Sequence, residues 1–425
     1  MGMTTILKRN ILMINGYSDD NKGDSGIVIA TIEKIYEHIN MNDVNVHLNS
    51  LFSVEDPHFT THNRFVSSHV SSITTSLFPS YRSINPFKRF VRIFISLCRS
   101  FLMLWRPQNS TLHRQLNNDE KKAIELFGAS DIVISKGGSF LYDNQDSFRT
   151  ILTFYRMAFP ILLAIRMGKT PILLGQSIGP AHFKISRILL SYIFNNSHVL
   201  LREKVCYTRY ISGWYSKELE TMPDVAFSLK YSYVKEFEKY LGYCGITLLT
   251  KYYFKSKKAY INYLKKMKEV VEWLAKGDIE ILLIPQVVYP GANDTDSIND
   301  LFTHCNTNTR KKLTIIKNDY SPKQLKYLYS KLEFLLAARL HSAIFALSEC
   351  VPSVNLSYQG TKSKGILNNI AMGEYCLDIN TSSSGQIISK IKDVITNRRD
   401  LVLMLKSMNS MVNDSIDKKI SSILS

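Results

Sequence analysis

Apolar residues along the chain come in two kinds of run that take turns. Short unbroken runs have the length of strands buried on both faces, whereas longer stretches place apolar side chains three and four apart, as a helix with one buried face requires. ILMIN (11 to 15) reads as a first strand, SGIVIATIEKIYEHI (25 to 39) as a helix and VNVHL (44 to 48) as a second strand. A Ser/Thr-rich polar stretch over 57 to 80 reads as loop. NPFKRFVRIFISLCRSFLMLWRP then reads as a helix over 86 to 106, with Asn85 as cap and Pro86 in the first turn. NNDEKKAIELFGAS leads as a helix into strand DIVIS (131 to 135). A helix over 148 to 167, strand PILLG (171 to 175), another helix and strand HVLLRE (198 to 203) follow.

After Pro223, Asp224 and a charged, tyrosine-rich stretch to about 240 the alternation restarts. CGITLL (244 to 249), IEILLIP (279 to 285), KLTII (312 to 316), EFLLAA (333 to 338) and PSVNLS (352 to 357) read as strands separated by helices. One of these helices, in SPKQLKYLYSKL, has Ser321 as cap and Pro322 at its first position. Strand, helix, strand in this order predicts parallel pairing with right-handed crossovers. The expected fold is therefore α/β: two Rossmann-like, doubly wound parallel-sheet domains facing across a cleft. The N-terminal domain spans 1–225 and the C-terminal domain 226–396, with a final helix over 397–425 packing back. A chain of 425 residues is long enough for both cores.

Charge narrows the partners. The chain carries a formal net charge of +17, which attracts anions in general. Between Tyr81 and Asn118 stand Arg82, Lys88, Arg89, Arg92, Arg99, Arg106 and Arg114 with no acidic residue. On the 86 to 106 helix, Lys88, Arg92, Arg99 and Arg106 repeat at four and seven and form one face, while the opposite face is Phe, Ile, Leu and Trp. Two readings fit: a helix lying in an anionic membrane interface, or an outer helix of an α/β domain with a solvated basic face. No helix-turn-helix, RNP or zinc-finger pattern accompanies the charge, so nucleic acid is not an expected partner. The six cysteines form no CxxC or CxH pair, which argues against zinc and against a disulfide framework. The N-terminus lacks a signal-peptide apolar core and the pattern for myristoylation. The most apolar window, 151 to 175, is interrupted by Arg156, Arg166 and Lys169, short of the roughly 18 charge-free residues that a spanning helix needs. The expected location is cytoplasmic, with room for peripheral contact at the inner face of the plasma membrane.

Candidate chemistry collects in LEFLLAARLHSAIFALSEC (332 to 350), where an apolar strand runs into Arg339 and His341 and resumes as an apolar helix. In an open parallel sheet, ligands bind at the carboxyl ends of the strands, where helix N-termini converge. Arg339 and His341 fall on such an edge. The guanidinium and the positive end of the helix suit a carboxylate or phosphate, and His exchanges protons near neutral pH. Each residue also has a structural reading: an Arg paired with a carboxylate, a His satisfied beside an apolar helix.

Taken in order, NKGD (Asn21 to Asp24), DIVISKGGSFLYD (Asp131 to Asp143), GQSIGP (Gly175 to Pro180), the Arg202–Glu203 pair, PDVAF (Pro223 to Phe227), RLH (Arg339 to His341) and a lysine after Tyr358 resemble the polysaccharide pyruvyltransferase family. The resemblance runs from about residue 11 to 370. It implies two Rossmann-like halves of the GT-B type. It also implies an enzyme that moves the pyruvate of phosphoenolpyruvate onto two hydroxyls of a sugar, in a bacterial exopolysaccharide or cell-wall glycan precursor that is often lipid-linked. Phosphoenolpyruvate is then a co-substrate, and no metal or redox cofactor is implied. The donor site it implies comprises Arg339, Leu340, Arg202 and Lys362, with Arg339 and His341 catalytic and His341 suited to acid/base work.

On the acceptor side the resemblance implies Asn21, Gly23, Asp24, Gly137, Gly138 and Ser139. Ser139 stands where the family usually has a third glycine. Asp24 reads equally as a sugar-hydroxyl acceptor or as a helix cap, Asp224 equally as a structural carboxylate, and Lys362 and Lys364 compete for the donor site. Gly175, Ser177, Gly179 and Pro180 read as shaping a turn. Two rivals remain at this level. A GT-B-type glycosyltransferase would need a ribose-binding carboxylate in the second domain, for which Glu349 is the nearby candidate. A non-catalytic membrane-binding protein would act through the 86 to 106 helix alone.

Overall fold

The computed structural model of the chain describes residues 8–79, 86–107, 114–143, 148–358 and 362–425. Asn85, read as a helix cap, lies outside them. The contacts separate two units. The first takes the chain up to Asp19, Ile27–Met222 and Lys419–Ser425; the second takes Asp20–Gly26 and Pro223–Lys418. The short Asp20–Gly26 segment, which the sequence reading puts in the N-terminal domain, thus belongs with the second unit.

The first unit holds a sheet of β1 (Arg9–Gly16), β2 (Val44–Ser50), β3 (Ser72–Thr74), β4 (Ile132–Ser135), β5 (Ile172–Gln176), β6 (His198–Leu201) and β7 (Glu220–Thr221). Their order is β3-β2-β1-β4-β5-β6-β7, and every pair is parallel. Ile11, Leu12, Met13 and Ile14 of β1 are fully buried, as a strand covered by helices on both faces must be. Around it Phe154, Phe159, Leu162 and Leu173 build the core.

The second unit repeats the plan with β8 (Cys244–Thr247), β9 (Ile281–Leu283), β12 (Leu313–Ile315), β13 (Phe334–Ala337), β14 (Ser353–Ser357) and β15 (Cys376–Asp378). The order is β12-β9-β8-β13-β14-β15, again all parallel. A small antiparallel hairpin, β10 (Val288–Tyr289) with β11 (Ala292–Asn293), follows β9. In each sheet the chain starts in the middle, moves to one edge, and returns to build the other half. The reversal falls between β1 and β4 in the first sheet and between β8 and β13 in the second. These are the switch points at which open α/β sheets bind ligands.

Every strand read from the sequence forms. Besides the β10–β11 hairpin, the strands not foreseen are β3, β7 and β15, all at sheet edges. β3 sits inside the stretch read as a polar loop, because Ser-Ile-Thr offers a single apolar side chain and pairs on one side only. The first helix begins at Lys22, three residues earlier than SGIV. Asn21 starts it: its side-chain oxygen accepts from the Gly23 N–H at 3.1 Å and its carbonyl accepts from the Ser25 N–H at 3.1 Å. The cap is therefore Asn21, and Gly23 and Asp24 lie in the first helical turn. The Pro322–Ser330 helix carries the expected Ser321 cap, reinforced by Gln324 in a capping box.

Candidate active site

β13 ends at Ala337, and the chain crosses Ala338 and Arg339 into the Leu340–Ser348 helix. Arg339 therefore stands at the switch point of the second sheet. The end of β8 fastens the joint. Thr247 Oγ1 accepts from the Ala338 N–H at 3.2 Å and lies 2.9 Å from Ser342 Oγ, and Ser342 donates to the Arg339 carbonyl at 2.6 Å.

The Arg339 side chain is almost wholly buried and paired with the fully buried Asp294. Its Nε donates to Asp294 Oδ1 at 3.1 Å, and Nη2 donates to the same oxygen. Asp294 opens the Asp294–His304 helix, and its Oδ2 also accepts from the N–H groups of Gln286 (3.0 Å) and Val287 (2.8 Å). Burial pushes the guanidinium down, but Asp294, helped by Tyr358 and Tyr253, prevails and holds its pKa above the usual arginine value. Burial likewise pushes the Asp294 carboxyl up, against the pull of Arg339 and the two backbone donors.

Two tyrosines cover the guanidinium. Its carbon lies 4.6 Å from the Tyr253 ring centroid. Tyr253 meets Tyr358 edge-on at 5.0 Å. Burial lifts the Tyr358 hydroxyl to about 12, with Arg339 pulling the other way. Lys362 completes the row, its Nζ 5.9 Å from the Tyr358 ring. Lys364 is exposed, and its charge pulls the Cys376 thiol of β15 down against the larger upward push of burial.

His341, in the first turn of the Leu340–Ser348 helix, faces two elements of its own unit. On one side stands Gly23: a Cβ built there would lie 2.2 Å from His341 Nδ1. On the other, Nε2 lies 3.7 Å from Asp224 Oδ2, a contact that is an ion pair only when the ring is protonated. Asp224 is buried and also caps the short Val225–Ser228 turn by accepting from the Ala226 N–H at 2.9 Å. Among the described residues no hydrogen-bond partner reaches His341 Nε2. Asn21, whose Nδ2 donates to Asp24 Oδ2 at 2.6 Å, and Asp24 lie in the same segment as Gly23. Four of the sequence-derived residues, Asn21, Gly23, Asp24 and His341, are thus assembled in the second unit with Arg339, Leu340 and Lys362.

Gly137, Gly138, Ser139 and Arg202 belong to the first unit. Gly137 and Gly138 follow β4 at that sheet's switch point. Gly138 adopts φ +147°, a conformation that favours glycine, and its carbonyl accepts from the Ser177 N–H at 2.8 Å. Ser139 is half-buried. Arg202 is buried and committed locally. Its Nε and Nη2 donate to Ser177 Oγ at 2.9 and 2.8 Å, and Ser177 donates in turn to Glu203 at 2.7 Å. Ser177, read as a turn former, is therefore the hub of a buried charge network.

Sequence reasoning missed Asp294, Tyr253 and Gln286. Asp294 sits in GANDTDS, where an acid after Asn reads as ordinary helix-start chemistry, and Tyr253 is one aromatic among many. Gln286 is buried, its oxygen bonded by the Tyr329 hydroxyl at 2.7 Å and its Nε2 without a partner among the described residues. Glu349, the candidate ribose-binding carboxylate, proves partly buried and held by Lys326 at 3.3 Å. Among the described residues no group of three or more His, Cys, Asp or Glu side chains could hold a metal ion.

Comparison with known proteins agrees with this plan. The family model for polysaccharide pyruvyl transferase matches residues 31–360. The chain is similar to the amylovoran biosynthesis protein AmsJ of Erwinia amylovora, 25% identical over 92 residues; the match covers 22% of each protein. Among solved structures, a UDP-glucosyltransferase from Polygonum tinctorium aligns with a TM-score of 0.58 at 10% identity, covering 99% of this chain and 98% of that one. The UDP-GlcNAc 2-epimerase of Neisseria meningitidis aligns at 0.54 and 13% identity, covering 98% and 99%. At such identities these two similarities show the fold, two Rossmann-like domains of the GT-B-like class.

Proposed function

Since the chain belongs to the polysaccharide pyruvyl transferase family, we propose that it moves the pyruvate moiety of phosphoenolpyruvate onto two hydroxyls of a sugar in a polysaccharide precursor. The observation that carries this reading is the cation assembly at the switch point of the second sheet. Arg339 is held by Asp294, walled by Tyr253 and Tyr358 and followed by Lys362, with His341 in the first turn of the adjoining helix. A donor bearing both a carboxylate and a phosphate suits a fixed guanidinium, an ammonium and a helix N-terminus in one place.

In the proposed reaction one sugar hydroxyl adds to C2 of the enol. A proton goes to the methylene carbon, which becomes a methyl group, and the hydroxyl proton is lost to a base. The second hydroxyl then attacks C2 and gives up its proton, phosphate leaves with the C–O bonding pair and takes up that proton, and the ketal closes. His341 is the proposed acid/base group, with Asp224 placed to support the protonated ring and Gly23 fixing the ring's other edge. The cations would offset charge on the departing phosphate. Asn21 and Asp24, beside His341, are proposed acceptor contacts.

Calorimetric titration with phosphoenolpyruvate, alongside a panel of nucleotide sugars, tests the donor. Arg339→Ala would leave Asp294 buried without its counter-charge. The informative variant is therefore the neutral pair Arg339→Gln with Asp294→Asn, which should remain folded and lose phosphoenolpyruvate. Binding of a nucleotide sugar with none of phosphoenolpyruvate would replace this reading with a glycosyltransferase.

A further inference from the structure

On the Pro86–Trp105 helix of the first unit the usual placement of apolar and polar residues is inverted. Its inner face is short and partly polar. Ser96, Ser100 and Met103 are buried, and Ser100 Oγ lies 2.9 Å from the Tyr155 hydroxyl. Arg99 reaches Glu120 at 2.8 Å, and Arg166 Nε donates to the Leu104 carbonyl at 2.6 Å. The outer face is apolar: Phe87, Phe90, Phe94, Phe101 and Trp105 are 60–74% exposed and Leu102 is 44% exposed. At 3.6 residues per turn these six side chains occupy one arc of about 120°. Of the two readings that the sequence left open, the outer helix with a solvated basic face and a buried apolar one is therefore corrected: the apolar side faces outward.

Basic residues border this arc. Lys88, Arg92 and Arg106 fall along one edge of it and are exposed. The Arg106 guanidinium lies 5.1 Å from the Trp105 ring. Two acidic groups face this edge: Glu120, taken up by Arg99, and Glu55, itself 78% exposed and 3.7 Å from Arg92, a surface pair of small worth. The neighbouring Lys184–Asn195 helix, which like this one packs on Phe148–Arg166, also exposes Ile185, Ile188 and Tyr192.

A stripe of large aromatic side chains of this extent marks an interaction surface. Its borders select the occupant. A second copy would bring one acid-free, basic-edged helix against another, setting like charges together. An anionic lipid surface complements both parts. Among the described residues no helix is long and apolar enough to cross a membrane, so the geometry is that of a helix in the plane of the interface. We propose that this helix docks the first unit on an anionic bilayer. Its aromatic arc enters the boundary between headgroups and acyl chains, and Lys88, Arg92 and Arg106 meet lipid phosphates.

The test is flotation of the full chain with phosphatidylcholine vesicles, with and without phosphatidylglycerol. Binding to the anionic vesicles is expected to weaken with salt. It should fall about tenfold or more in Phe90→Ser with Phe94→Ser, and in Lys88→Glu with Arg92→Glu. These side chains are exposed, so the variants should keep the wild-type melting curve and phosphoenolpyruvate titration. Trp105 fluorescence should shift to the blue on the anionic vesicles. Absence of binding, or binding unchanged in both variants, overturns the proposal. So does a dimer in light scattering that the phenylalanine variants dissolve, which would assign the stripe to a second copy.

Discussion

Gly23 and His341 are packed so closely that a methyl group on the glycine would stand 2.2 Å from the imidazole Nδ1. The relation explains why this position lacks a side chain without appeal to backbone conformation: the histidine ring occupies the space. Gly23→Ala must push His341 away or tilt the start of the Lys22–His38 helix. On the proposed mechanism it should lower the rate of ketal formation by about a hundredfold, the scale of a misplaced catalytic group. Phosphoenolpyruvate affinity, which the proposed site assigns to Arg339 and Lys362, should change far less. Comparing kcat with the donor's dissociation constant checks this; equal losses in both would mean the segment has come apart.

Asp294 should matter to stability more than its place in the sequence implies. Removing it leaves Arg339 buried beside two backbone N–H groups that have lost their acceptor. Asp294→Ala is expected to cost about 3–5 kcal/mol, as breaking a buried pair usually does. Asp294→Asn should cost clearly less, because the amide oxygen still accepts from the backbone. Urea denaturation followed by circular dichroism measures both, and equal costs would show that the charge, not the hydrogen bonding, dominates.

The contrast between these two positions shows what the sequence carried. The central strands were legible because burial on both faces leaves continuous apolar runs such as ILMI and FLLA. The edge strands β3, β7 and β15 were not, since pairing on one side demands little of their side chains. Arg339 and His341 could be located because they interrupt an apolar strand-to-helix run at a sheet edge. Asp294 could not, because its partner is 45 residues away in the chain and the sequence shows only an acid in a first helical turn. Gly23 was expected on the acceptor side, and its contact with His341 is a tertiary fact without local trace. On the Pro86–Trp105 helix the apolar arc was readable, but periodicity alone left open which side it faces.

His62 should make the first unit acid-sensitive. The ring is fully buried, with Nε2 2.9 Å from Ser50 Oγ, and burial lowers its pKa from 6.5 to about 4. The folded chain keeps it neutral, while the unfolded chain binds a proton below 6.5. Its contribution is therefore complete above that pH and is lost as the pH falls toward 4, by about 3 kcal/mol in all. His62→Gln should flatten the dependence of unfolding free energy on pH across this window. An unchanged slope would assign the acid sensitivity to other groups.

Lys362 and Lys364 are two residues apart on one short helix and should behave differently. Lys362 stands over Tyr358, which covers Arg339, whereas Lys364 is exposed. If the donor's anionic groups lie at Arg339, removing Lys362 takes one charge-assisted contact from them, so Lys362→Ala should weaken phosphoenolpyruvate binding about tenfold. Lys364→Ala removes only a solvated charge and should stay within about twofold, the effect of one distant, screened charge. The same ordering should appear in KM, and raising the salt concentration should narrow the Lys364 effect further while leaving most of the Lys362 effect in place. Equal losses in both variants would indicate that the donor senses the general positive field of this helix, and the assignment of Lys362 to the site would fall.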